Sequence, residues 1–486
     1  MTDSKLINLL KTLSEDEFKQ LEKFIGSPFY NKGRDLLPFF KSIKSFYPDF
    51  NDKYLSNEFI FGKLFPCKKY NGIRSDNLIR TLSSHLFRIS KDFLIHLELE
   101  EQTSKKKYFL LNQLRKRKLY KEFDKEYSEI SKNFDDSGKG SVGFFIDRYF
   151  LTAVHRDCSL NRDDFSSSFE FSLQTGENIA AAALISAFKF EDEKNLAAAY
   201  GIPVRDNLLD LILKNLDPIN FMSGVNTDHE HFPYLQIFQG IYMMNSHKEN
   251  TTYYFNLKKL LKKHSSYFGQ PENYVLWNTM LTYCGVNKLG SKEAFELQKY
   301  MLENGVYKPM NSENFHIVLF RNIVLDSSFI GEYQWLEKFI EKYSAELHEH
   351  HRDNMKIFSM AYLSFSRNDF GKSLEYILRI KYNLFLFKLD VKILQLKIYY
   401  ELGYIEEGLS LVSATLNYLS NTKEVSSLGK EAIGTFAKCV RDLIRIKSEG
   451  IVKDEDLYKL KITAEKISYK GLADWLTEKV GQLKRA

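Results

Sequence analysis

Arg367-Asn368-Asp369-Phe370-Gly371-Lys372-Ser373-Leu374-Glu375-Tyr376 and Leu402-Gly403-Tyr404-Ile405-Glu406-Glu407-Gly408-Leu409-Ser410-Leu411 read alike. Each is a turn that opens into an amphipathic helix, and Gly408 follows Ser373 by 35 residues. Repeats of that length built from helix pairs are the signature of stacked helical hairpins. Such stacks present long surfaces rather than a single catalytic pocket. The expected fold class is therefore all-α: an α-solenoid of stacked helical hairpins behind an N-terminal helical domain.

Working outward, helix signals dominate. Ser14-Glu15-Asp16-Glu17 is a capping box, after which Phe18, Leu21, Phe24 and Ile25 recur at helical spacing. Ser27-Pro28 ends that helix, because the residue before proline avoids helical backbone. A short helix is expected from Ser56. After the turn Tyr70-Asn71-Gly72, Leu78, Leu82, Leu86, Ile89, Phe93 and Leu97 predict a long one. The chain has nine prolines and none after Pro309, where average usage would place roughly nine more. A helical array tolerates that gap and a β-rich domain does not. Charge replaces aliphatic periodicity near Glu100–Lys107, 134–143 reads as a loop, and a second break falls near Phe268–Glu272. These divide the chain into residues 1–100, an irregular hairpin region 101–270, and helical repeats 271–486.

Aligned by their turns, residues 358–382 and 393–419 resemble tetratricopeptide hairpins. Ala361, Asn368-Asp369, Phe370 and Ser373 match the first unit. Gly403, Ile405 and Gly408 match the second, with Leu396 where a small residue is usual. Ser373 and Gly408 would let helices approach closely, and Phe370 and Ile405 would plug the gaps between units. The likeness extends over 271–420 with a drifting period: 39 residues separate Ala294 from Tyr333, and 40 separate Tyr333 from Ser373. The stretch from Trp277 through Ala294 to Val306 resembles a pentatricopeptide unit with one residue inserted, a family that reads single-stranded RNA. Residues 1–100, with Ser27-Pro28-Phe29-Tyr30-Asn31, resemble the leading segment of uncharacterised bacterial helical proteins.

The tetratricopeptide likeness implies a partner groove. Its positions would be Met355, Phe358, Tyr362 and Phe365, then Asp390, Ile393, Lys397 and Tyr400. Those residues are too apolar to clamp a peptide carboxylate. Such a groove is either covered by the chain itself or receives an apolar helix or strand from a partner.

Lys105-Lys106-Lys107 and Arg115-Lys116-Arg117-Lys118, with Tyr108 and Phe109 between, form a candidate phosphate-contacting patch, with Lys107 and Lys118 on one stripe. The acids Glu122, Asp124, Glu126 and Glu129 follow at once. Leu55–Phe65 and the helix after it have a faint helix-turn-helix outline, with Arg74, Arg80, Arg88 and Lys91 on the second element. The net charge of +6 on 486 residues is small for a chain that grips nucleic acid over its whole surface.

His348-Glu349-His350-His351 and His229-Glu230-His231 are the histidine clusters, and neither has the spacing of a metal motif. They read as a solvated helix start and a loop. Gly138-Lys139-Gly140-Ser141-Val142-Gly143 lacks the phosphate-loop pattern, and there is no G-x-S-x-G elbow. Cys67, Cys158, Cys284 and Cys439 are scattered, which argues against a zinc knuckle or a disulfide framework. The first residues lack the features of a signal peptide. The most apolar run, Ile179 to Phe188, is too short to span a bilayer. The expectation is a cytoplasmic, non-enzymatic scaffold, without cofactor or membrane association, that binds another protein or peptide. The alternative is a nucleic-acid-binding regulator with residues 1–120 as reader and the repeats as sensor or oligomerisation module.

Overall fold

The computed structural model describes residues 4–484 apart from 32, 34, 51–54, 133, 135–137, 200, 206, 288, 310–311, 382–386 and 451–453. Among them the regular structure is helix alone, with twenty-four α-helices and no strand. No helix of the described residues is long and apolar enough to cross a membrane. The chain divides into two compact units, Met1–Phe134 and Asp135–Ala486. The loop read at 134–143 lies at that division, and its Asp135, Asp136 and Ser137 fall outside the described residues.

The first unit holds α1 (Lys5–Leu10), α2 (Glu15–Gly26), α3 (Leu37–Lys44), α4 (Asn57–Leu64), α5 (Gly72–Glu101), α6 (Thr103–Lys116) and α7 (Tyr120–Lys132). The capping box is formed: Ser14 Oγ accepts from the Glu17 N–H at 3.2 Å, and Glu17 Oε2 accepts from the Ser14 N–H at 2.7 Å. Phe18, Leu21, Phe24 and Ile25 are buried, and α2 stops at Gly26, two residues before Pro28. With Phe39, Phe40, Ile60 and Phe61 they close on Ile79, Leu82, Leu86, Ile89 and Phe93 of α5. The buried stripe of α5 thus starts at Ile79 rather than Leu78, which with Leu97 is only partly covered.

The second unit holds α8 (Val142–Leu160), α9 (Phe165–Ala199), α10 (Leu208–Leu216), α11 (Pro218–Gly224), α12 (Phe232–Ser246), α13 (Thr252–His264), α14 (Gln270–Val286) and α15 (Ser291–Glu303). It continues with α16 (Ile317–Ile330), α17 (Tyr333–Tyr343), α18 (Glu349–Ser366), α19 (Phe370–Leu378), α20 (Lys388–Leu402), α21 (Ile405–Asn421), α22 (Ser427–Glu449), α23 (Asp454–Glu465) and α24 (Lys470–Leu483). From α14 onward each helix packs chiefly on its chain neighbours: α14 on α15, α15 on α16, α18 on α19, α19 on α20, α20 on α21, α21 on α22. Contacts two helices along the chain, such as α16 with α18 and α20 with α22, tie these pairs together. The last five helices enclose one cluster around Phe436, Val440, Leu443 and Leu476.

The turn residues explain the two similar stretches. Asp369 caps α19 by accepting from the Lys372 N–H at 3.1 Å. Ser373 is fully buried and its hydroxyl donates to the Ala361 carbonyl at 2.7 Å, which brings α19 against α18. Gly403 ends α20 with φ +74°, the left-handed backbone that glycine adopts without strain. A Cβ on Gly408 would lie 2.7 Å from Ile444 Cδ1, so a side chain there would require the end of Ile444 on α22 to shift. Ile405 departs from its expected role as a plug: it is exposed, and it lines a cavity of about 180 Å³ with Tyr399, Tyr400, Tyr404, Ile444 and Lys447.

Candidate interaction surface

The groove positions do not form an open surface. Met355 and Phe358 are wholly buried and Tyr400 nearly so. Tyr362 donates its hydroxyl to the Asp390 carbonyl at 3.2 Å. The Asp390 carboxylate binds Arg321 of α16 through two contacts, Nε to Oδ2 at 2.9 Å and a shorter one from the terminal nitrogen to Oδ1. The Arg321 guanidinium also lies 5.7 Å from the Phe387 ring centroid, and Phe358 packs on the same ring. Phe365, half-buried, leans on the C-terminal cluster. α16, α20 and Phe387 just before α20 thus supply apolar and polar groups to these positions from within the chain. Of the two readings of this groove, burial fits the one in which the chain itself covers it: its central side chains are core.

Lys397 is half-buried, with Nζ 5.8 Å from the Phe436 centroid and 5.4 Å from that of Trp475. Burial, together with the neighbouring Lys479 ammonium, pushes it down to about 8, against the pull of Glu478 and Glu401. Lys479 itself is held by Glu401 at 2.7 Å. Tyr400, its hydroxyl pushed up to about 12 by burial, stands edge-on to Trp475.

The basic patch lies on and just after α6. Lys105, Lys106, Lys116, Arg117 and Lys118 are exposed, while Lys107 and Arg115 are half-buried. Lys106 pairs with Glu100 at 2.6 Å, and Arg115 donates to Asn112. The expected Lys107–Lys118 stripe does not form, because α6 ends at Lys116 and Lys118 takes a left-handed backbone at φ +57°. At helical spacing Lys105, Phe109 and Lys116 share one face instead, and Phe109 is 51% exposed. Arg74, Arg80, Arg88 and Lys91 of α5 are all exposed.

His348 caps α18. His229, Glu230 and His231 form the loop before α12, where Arg148 donates to both carboxylate oxygens of Glu230 at 3.1 Å and His229 lies 3.3 Å from Glu177. His231 is 2% exposed, packs edge-on against Phe145, and neither ring nitrogen has a hydrogen-bond partner. No group of three or more metal-ligating side chains is arranged to hold an ion among the described residues.

What sequence reasoning missed is the first half of α9. The turn before it is built by Asp163, in the left-handed region, and by Asp164, whose carboxylate accepts from the Ser167 N–H at 3.1 Å. The α8–α9 contact is set by Thr152 and Thr175, whose hydroxyls meet at 3.0 Å, and by His155 stacked on Phe171 at 3.8 Å. Apart from Phe171, the inward side of this half-helix is polar: Ser168, Thr175 and Asn178 are buried. Its outward side is apolar: Phe165 is 68% exposed, Phe169 75%, Leu173 57% and Ile179 44%. Positions 165, 169, 173, 176, 180 and 183 fall within a quarter-turn of one another on a helix, so Gly176, Ala180 and Ala183 continue the same stripe. A Cβ placed on Gly176 meets nothing within 4 Å. The polarity is inverted relative to a helix that uses its apolar face for its own core. The spacing of Phe165, Phe169 and Leu173 marks an apolar face, but only the packing of α8 decides whether that face turns inward.

No family model, curated protein or solved structure matches the chain.

Proposed function

We propose that this chain is a protein-interaction scaffold, a helical-hairpin solenoid of tetratricopeptide type that engages an apolar helix through an exposed helix face rather than through the groove. The observation that carries this reading is the inverted half of α9, where Phe165, Phe169 and Leu173 point to water while Ser168, Thr175 and Asn178 are buried. Contiguous exposed apolar surface of this kind marks interaction sites. The sequential packing of α14 to α22 supports the solenoid arrangement. A photo-crosslinking residue at position 169, with position 458, where Tyr458 is 66% exposed, as control, tests the reading in cells. A discrete covalent adduct from 169 that disappears in Leu173→Glu is expected. Adducts from 169 no more defined than those from 458 would overturn it.

One observation favours the alternative of a nucleic-acid-binding regulator. Lys105 and Lys116 flank the exposed Phe109 on α6, a pairing of cations with a stacking ring that suits single-stranded nucleic acid. Filter binding at low and high salt decides it. A salt-sensitive affinity lost in Phe109→Ala is expected on this reading, and the absence of any affinity removes it.

A further inference from the structure

Resting on the interaction reading above, we infer that the helix received by the α9 stripe is α9 of a second copy of this chain, packed antiparallel about a two-fold axis between Ser172 and Leu173. The stripe is bulky at one end and small at the other. Phe165 and Phe169 are four residues apart, and so are Gly176 and Ala180. Laid antiparallel, Phe165 of one copy falls over Ala180 of the other and Phe169 over Gly176. Both matches use one register, because each pair is symmetric about the same point. The two-fold axis repeats both, so four phenylalanine rings enter four places that lack side-chain bulk. Gly176 offers such a place, since a Cβ there would stand in open space. Close approach of two helices at small residues is a general packing solution, and an isologous contact needs this kind of self-complementarity.

The area sets the strength. From the exposures of Phe165, Phe169 and Leu173, each copy would bury at most on the order of 400 Å² of large apolar side chain. That is roughly half of what a standard interface takes from each partner. A reversible dimer follows, present at high protein concentration and dissociating on dilution. The charges set its salt response. Glu170 and Glu177 lie on one flank of the stripe, and in this register Glu170 of one copy is level with Thr175 of the other, two residues from that copy's Glu177. Repulsion across the axis is screened by salt, so association strengthens as salt rises. A partner helix with basic flanks would respond in the opposite sense.

The test is the mass of the full chain by light scattering across a dilution series at low and high salt. The expected result is a shift from 57.0 kDa toward twice that value, larger at high salt. Phe169→Glu removes a knob and Ala180→Phe fills a recess; each abolishes the shift while an unchanged circular dichroism spectrum shows that the helices persist. Ser172→Cys, made with Cys67→Ser because Cys67 is exposed, forms a self-disulfide on oxidation, and adding Ala180→Phe prevents it. A single monomeric mass at every concentration without the Ser172→Cys disulfide would overturn the inference. So would dimers that survive Ala180→Phe or weaken with salt. A monomer that still gives a discrete adduct from position 169 in cells defeats self-association while leaving the interaction reading intact. Loss of both defeats both.

Discussion

Two titratable side chains, the buried His231 and the half-buried Lys397, make stability depend on pH. His231 is pushed down to about 4 by burial and by Arg148 and His229, against the pull of Glu230 and Glu177. The unfolded chain takes up that proton near pH 6.5, while the folded chain refuses it until about 4. Stability therefore falls as pH drops through that window, by up to about 3 kcal/mol from this group. Thermal melts of His231→Phe between pH 7 and 4 should show a shallower acid loss than the parent, and equal slopes would remove this account. Lys397 works at the other end of the scale. Its folded value of about 8 lies below the ordinary lysine range, so stability rises with pH between about 8 and 10.4 as the folded chain sheds a charge the unfolded chain keeps. Lys397→Met should be more stable at pH 7, by at most about 3 kcal/mol, with the advantage fading toward pH 10.

Contacts between helices depend on a few close approaches and on ion pairs such as Arg321–Asp390 and Lys479–Glu401. Gly408→Ala gains helix propensity but places a methyl against Ile444 Cδ1. A net loss of about 1–2 kcal/mol is expected, recovered in Gly408→Ala/Ile444→Val, where the offending carbon is gone. Denaturant titration of the double mutant cycle checks this, and additive losses would show that the clash lies elsewhere. Arg321 of α16 and Asp390 of α20, with the Tyr362 hydroxyl of α18 on the Asp390 carbonyl, join three helices at one point. Asp390→Asn leaves a buried guanidinium without its counter-charge and should cost roughly 3–5 kcal/mol. The double replacement of Arg321 and Asp390 by apolar residues should recover much of that. If Asp390→Asn melts like the parent, the pair does not hold these helices.

Across the whole molecule, stability is divided. The cluster around Phe18, Leu86 and Phe93 and the cluster around Phe436, Val440 and Leu476 share no residue and belong to different units. Phe436→Ala should cost about 3–5 kcal/mol and strip hydrogen-exchange protection from α20 to α24, while α1 to α5 keep theirs. Uniform loss would mean that both clusters open together. The sequence by itself determined the helical character and many boundaries. The capping box at Ser14, the stop at Pro28, the long α5 and the tight turns at Asp369 and Gly403 are local events, set by backbone geometry and nearest side chains. Only tertiary structure decided which apolar faces are used. Phe358 of the expected groove became core where Phe387, from the turn before α20, packs on it, and Arg321 of α16 binds Asp390 beside it. Phe165, Phe169 and Leu173 stayed outside because the threonine contact and the His155–Phe171 stack between α8 and α9 turn the other side of that helix inward. Helical periodicity states that a face is apolar; what covers it depends on residues far along the chain, and among the described residues Phe165, Phe169 and Leu173 of α9 stay exposed.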